Sequence, residues 1–310
     1  MTDLLLHRDL LEDWLEKPLP GALLVSGPVG IGKAAFARAL ARRIVGAHED
    51  TPAHPDILVA SPNEELKTRP VDIAAIRDLT RALSLTSTGA SRVALVLESD
   101  RMTVGAANAL LKTLEEPAPG THMLLTAAEP WRLPPTIRSR LAIRTLPTPD
   151  EDASLAFLNE HAPNLDDDAA RRLLRIANNA PFMALEMGEQ GSALALEVAK
   201  LASVAARGSF DRVAALSIAN KAGDAGWDLL SRLILRFLHL AASAASGQRH
   251  GATCGVEQNA IDSFAGKAGP FKSAEAWRIA SELKRATEVQ ALAKPWSLYR
   301  MTLSFEWACR

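Results

Sequence analysis

The chain has 310 residues, 48% hydrophobic and 23% charged, with 35 basic against 36 acidic side chains. That length corresponds to two or three globular domains, and a net charge of −1 excludes a chain-wide basic field, so any nucleic-acid contact has to come from a local patch. Cys254 and Cys309 are too few for a disulfide framework or a zinc cluster and point to a reducing, cytoplasmic compartment; no apolar run approaches the ~18 residues of a membrane span, and Met1 to Leu11 has no signal-peptide pattern.

Leu4 to Glu16 places Leu6, Leu10, Leu11, Trp14 and Leu15 on one side of an amphipathic helix, which Pro18 and Pro20 end. Ala22 to Val25 is a short apolar strand. It runs into Ser26-Gly27-Pro28-Val29-Gly30-Ile31-Gly32-Lys33-Ala34, and an alanine-rich helix follows to Val45. Gly27, Gly32 and Lys33 have the spacing of a phosphate-binding loop, whose backbone N–H groups cradle phosphates beside the positive end of a helix. Lys33 supplies a point charge for the β- and γ-phosphates. Such loops continue with Ser or Thr, whose hydroxyl binds Mg²⁺. Ala34 has no hydroxyl. The loop therefore reads as able to hold a phosphate and poorly built to hydrolyse one.

The polar stretch 47–55 carries His48 and His54, which read as solvated. A strand over Asp56–Ala60, a charged loop over Ser61–Pro70 and a helix over Val71–Leu83 follow. Val93 to Leu97 is continuously apolar, as a strand buried on both sheet faces requires. Thr103–Glu116 is a helix closed by Pro117. Thr121–Ala127 and Leu141–Thr145 are strands, the latter after a turn with Pro134, Pro135, Arg138, Ser139 and Arg140. This alternation predicts an α/β unit with a parallel sheet. Beyond Pro149 only helices are predicted: Glu151–His161, Asp166–Ala177, Pro181–Glu189, Ser192–Ala206, Phe210–Ala219, Ala225–Ser246, Val256–Ala265, Ser273–Ala293 and Trp296–Trp307. Gly188 and Gly191 form a predicted hinge. Trp227, Trp277, Trp296 and Trp307 fall on apolar helical faces, which reads as core or subunit interface.

Four stretches carry a resemblance when taken together: Gly27 to Lys33, Asp100-Arg101-Met102, Asn108-Ala109-Leu110-Leu111-Lys112-Thr113-Leu114-Glu115-Glu116-Pro117, and Thr136-Ile137-Arg138-Ser139-Arg140. From about residue 20 to 146 the chain resembles the clamp-loader branch of the AAA+ ATPases. The resemblance implies an α/β AAA+ P-loop domain with a five-stranded parallel sheet over 1–147, a small helical lid domain over 148–190 and an all-α collar domain over 191–310.

The resemblance also implies roles for residues. Gly27, Pro28, Val29, Gly30, Ile31, Gly32, Lys33 and Ala34 would form a degenerate nucleotide-binding loop. The family's third strand ends in an Asp-Glu pair that binds Mg²⁺ and activates water. This chain has Leu97 and Glu98 there, with Asp100 close behind. Alternate strand residues face opposite sides, so Glu98 could serve the metal only through a bulge; otherwise Glu98 and Asp100 cap the loop after the strand. The place of the lid arginine that touches the γ-phosphate holds Met183. Arg140, with Ser139, would be an arginine finger reaching into a neighbour's nucleotide site. Taken alone, Arg140 reads as a surface arginine in a weak salt bridge.

The implied protein is a non-hydrolysing member of a clamp-loading complex in DNA replication. Its partners would be gamma/tau and delta subunits in a pentameric ring and, through the complex, the sliding clamp and primed DNA. No cofactor would be required, with residual ATP or ADP binding at most, and the zinc module of some members is not expected because 47–55 has no cysteine. The alternative is a self-sufficient ATPase of the gamma/tau type, resting on the preserved glycines and Lys33. Arg77, Arg81 and Arg92 face DNA phosphates in one reading and are solvated charges in the other.

Overall fold

The computed structural model describes residues 5–48, 51, 53–63, 70–84, 89–223, 226–248, 255–290 and 292–310. Cys254 and most of the charged loop after β2 lie outside them. The chain divides into two compact units. One comprises Met1–Phe157 with Asn179–Met183, and the other Leu158–Asn178 with Ala184–Arg310. Residues 148–190 are therefore shared between the two.

The first unit is built on β1 (Ala22–Ser26), β2 (Ile57–Ala60), β3 (Arg92–Val96), β4 (Thr121–Ala127) and β5 (Ala142–Thr145). They form one five-stranded sheet in the order β2-β3-β4-β1-β5, with every pairing parallel. Around it stand α1 (Arg8–Leu15), α2 (Lys33–Val45), α3 (Ile73–Leu83), α4 (Val104–Glu115) and the one-turn α5 (Pro135–Arg138). Leu24, Val25, Leu95, Val96 and Leu125 are fully enclosed. Each such side chain contributes about 1.5–3 kcal/mol relative to exposure.

β3 is buried along its whole length, which accounts for its unbroken apolar run. Its first residue corrects one expectation. Arg92 is buried, so it is not available to DNA. Its guanidinium donates to the Leu83 carbonyl at 2.9 Å and lies 3.5 Å from the Asp56 carboxylate. Arg77 and Arg81 are exposed on α3.

Short side chains start two of these helices. The Asp72 carboxylate accepts from the Ala75 N–H at 2.9 Å, and the Thr103 hydroxyl accepts from the Ala106 N–H at 3.2 Å. Val71 bridges the lead-ins of α3 and α4: its N–H donates to the Arg101 carbonyl and its carbonyl accepts from Thr103, both at 3.1 Å.

α6 (Glu151–His161) follows β5. The second unit contains α7 (Asp167–Ile176), most of α8 (Pro181–Ala206), α9 (Arg212–Ala222), α10 (Trp227–Ala245), α11 (Gly255–Gln290) and α12 (Lys294–Cys309). Asp166 caps α7 and Asp211 caps α9. α8 breaks at Gly188, where φ is 53°. The two predicted helices after residue 255 run on as α11, broken at Gly269 before Pro270. Phe237, Phe264 and Phe305 meet edge-on in the core, with centroids 5.5–5.8 Å apart. Trp227 belongs to that core, whereas Trp277, Trp296 and Trp307 are exposed among the described residues.

Candidate functional site

In a parallel sheet all strands end on one rim. The phosphate-binding loop leaves β1 at that rim and turns into α2. Gly30 and Gly32 have φ of 78° and 96°, which only glycine adopts without strain. Both are also tightly covered. A Cβ on Gly30 would lie 2.5 Å from that of Met183, and one on Gly32 would lie 2.7 Å from the Phe182 ring. The Phe182 N–H donates to the Gly30 carbonyl at 2.9 Å. On another side the buried His7 ring donates from Nε2 to the Ile31 carbonyl at 2.9 Å. Burial holds the His7 pKa below its ordinary value.

Lys33 opens α2 and donates from Nζ to the Pro28 carbonyl at 2.5 Å. Its pKa is lowered to about 8, mainly by burial, with the charges of Asp100 and Glu98 opposing the shift. Ala34 is exposed and presents a methyl group where a hydroxyl would serve a metal.

β3 ends at Val96 on the same rim. Leu97 follows with its side chain buried. Glu98 takes a left-handed backbone, φ 48°, outside the strand. Its N–H donates to the Thr126 hydroxyl at 2.9 Å, and its carboxylate pairs with Arg101 at 3.1 Å. Asp100 accepts from the Ala128 and Glu129 N–H groups at 3.0 and 2.8 Å. Of the two readings weighed for these acids, the capping role fits Asp100. Glu98 leaves the sheet by a turn, and the β2–β3 register runs unbroken to Ala60↔Val96.

Arg140 lies at the opposite rim. Leu133, Ile137 and Leu141 recur every four residues and all point into the core. That spacing turns Ser139 and Arg140 outward. Arg140 Nη1 donates to the Thr136 carbonyl at 2.7 Å and to the Ser139 hydroxyl at 3.3 Å. Nη2 stands 2.6 Å from Glu115 Oε1 at the end of α4. β5 begins two residues later, opposite the start of β1, in the register Leu23↔Ala142. The twelve residues of α4 run from the Glu98–Arg101 turn to Glu115. Arg140 is thus on the order of 18 Å from the loop rim, one helix length.

The family described as DNA polymerase III, delta subunit, matches residues 6–150. A DNA polymerase III subunit delta' from Pseudomonas aeruginosa is 36% identical over 186 residues, covering 55% of this chain and 56% of its own. Residues 6–150 belong to the DNA polymerase III delta-prime family. The matched stretch spans about half the length of that delta-prime relative. A gamma/tau subunit from Mycobacterium tuberculosis is 32% identical over 189 residues, covering 54% of this chain and 32% of its own. A solved gamma-subunit-related protein from Thermotoga maritima covers 98% of this chain and 100% of its own, at 19% identity and a TM-score of 0.47.

The structure gathers Lys33, Glu98 and Asp100 within electrostatic reach of one another and keeps Arg140 apart from them. Sequence reasoning missed five contacts: His7, Phe182 and Met183 on the loop, Thr126 on the Glu98 turn, and Glu115 on Arg140. Only Glu115 had a local signal. A carboxylate in the last turn of a helix opposes the helix dipole and calls for a partner. No described helix is long and apolar enough to cross a membrane.

Proposed function

We propose that this chain is the delta-prime subunit of a DNA polymerase III clamp loader, a stator that lends Arg140 to a neighbouring ATPase and hydrolyses little itself. The supporting observation is the placement of Arg140 on the rim opposite its own phosphate-binding loop. A guanidinium on the order of 18 Å away, one α4 length, cannot stabilise a phosphoryl group held at Lys33. It can act only on a nucleotide presented from outside. There it would neutralise charge growing on the transferred phosphoryl oxygens, an effect on the order of 10³–10⁵ in rate.

The loop's own chemistry agrees. Lys33 and the loop backbone suit a phosphate, but Ala34 offers no metal ligand, Leu97 is apolar and buried, and Met183 rests against Gly30. The residues present do not complete a Mg²⁺ shell, so no hydrolytic step is assigned to them. Residual ATP or ADP binding remains compatible, with no cofactor required and no zinc. In this reading 148–190 is the lid and 191–310 the collar that holds a cytoplasmic pentameric ring with gamma/tau and delta subunits. Sliding clamp and primed DNA are met through that complex.

The test is Arg140→Ala in a loader reconstituted with gamma/tau and delta subunits. ATP turnover at the adjoining site and clamp loading should collapse, while assembly, followed by sizing, is retained. Unchanged rates would remove the finger role. The 32% likeness to a gamma/tau subunit favours a second reading, an active ATPase. Turnover near 1 s⁻¹ by the isolated chain, a typical lower value for enzymes, abolished by Lys33→Ala, would establish it instead.

A further inference from the structure

Arg140 is held by three groups, and one of them lies in another element. Thr136 and Ser139 belong to the same turn as the arginine and fix Nη1. Glu115 comes from the last residue of α4 and fixes Nη2 at 2.6 Å. The carboxylate stands where helix geometry argues against it. The last turn of a helix carries the negative end of the dipole and favours cations. α4 instead ends in Glu115, with Glu116 next to it.

Both partners are partly solvent-exposed, 37% and 48% by side chain, so the pair adds little to stability. A contact that opposes the local helix preference and stabilises little is explained by what it orients. A guanidinium on a four-bond stem has many rotamers. Two hydrogen bonds from its own turn restrain one nitrogen, and the second point of attachment sets the plane of the fork.

We propose that Glu115 is a positioning residue for Arg140, holding the guanidinium plane so that its remaining N–H groups meet a phosphoryl oxygen of the adjoining subunit. This rests on the finger reading of Arg140. Glu115 touches no substrate and acts through the arginine alone. Misplacement of a reacting group by about 1 Å costs up to on the order of 10² in rate.

The experiment uses the reconstituted loader with Glu115→Ala, Glu115→Gln, Arg140→Ala and the Glu115→Ala/Arg140→Ala double variant, each checked for assembly by sizing. Glu115→Ala should lower kcat for ATP by about tenfold and leave KM unchanged, because the nucleotide is bound by the neighbour. Glu115→Gln keeps an acceptor oxygen of the same reach and should recover most of kcat. The double variant should be no slower than Arg140→Ala, since the two act as one unit.

If Arg140→Ala is slow and Glu115→Ala runs at the wild-type rate or faster, the positioning role is overturned while the finger stands. A double variant slower than Arg140→Ala alone would overturn it too, by giving Glu115 a separate task. If Arg140→Ala itself is unaffected, the finger reading fails and takes this inference with it. Should Glu115→Ala fail to assemble, Glu115→Leu, which fills the same space without an acceptor, takes its place: a tenfold lower kcat supports the positioning role and the wild-type rate overturns it.

Discussion

Replacing Gly30 by alanine tests whether residues 182–183 clasp the phosphate-binding loop. An added Cβ would stand 2.5 Å from the Met183 Cβ, 2.9 Å from its nitrogen and 3.1 Å from its Cα. Two of these are backbone atoms, so no rotamer change relieves the clash. The left-handed backbone at Gly30 costs a side-chain-bearing residue about 1–2 kcal/mol. Overpacking adds roughly 1–3 kcal/mol. Gly46 is the control: its φ is 70°, but nothing lies within 4 Å of its added Cβ. Gly46→Ala therefore carries the backbone cost alone, and the difference between the variants measures the clasp.

The assay is urea unfolding followed by hydrogen exchange of peptides from 22–45, which reads the unit holding the loop separately from the helical one. With a slope of roughly 1–3 kcal/mol per molar urea, Gly30→Ala should unfold about 1 M earlier than Gly46→Ala. Coincident midpoints would refute the reasoning, because Met183 could not then rest on Gly30.

Two predictions concern titration. His7 donates as a neutral ring and burial depresses its pKa, so the unfolded chain binds its proton more readily. The contribution of His7 is complete above pH ~6.5 and is lost as pH falls below it. Urea midpoints between pH 7.5 and 5 should drop in the wild type and flatten in His7→Gln; parallel curves would contradict this. Lys33, with its pKa lowered to about 8, should show half-maximal reactivity toward an amine-acylating reagent near that pH. Exposed lysines should titrate near ~10.4. A Lys33 profile matching theirs, mapped by peptide mass, would place the ammonium in open water.

The sheet was legible because β1, β2 and β3 are nearly pure apolar runs alternating with helices, and the glycine loop because its chemistry demands a fixed spacing. Helix starts such as Asp166 announce themselves locally. What stayed hidden depends on pairs far apart in the chain. Arg92 reads as a surface charge until Asp56, in the turn just before the adjacent strand β2, and the carbonyls closing α3 are seen to enclose it. The left-handed turn at Glu98 has no sequence signal, since it is held by a threonine hydroxyl on the next strand. Glu115 and Arg140 were each visible, but not their contact. The covering of Gly30 and Gly32 by Phe182 and Met183 spans about 150 positions and could not be inferred from spacing.

Opposite rims give the α/β unit a polarity. A loop on one side and an exposed arginine on the other are unlike surfaces, so the contact proposed above, with one subunit's arginine at the next subunit's nucleotide, is a head-to-tail one. Head-to-tail contacts run in one direction and continue until the ring closes or one member interrupts them. On the proposed reading, a link that offers its guanidinium forward and presents a methyl group at residue 34 behind is the member that interrupts the row.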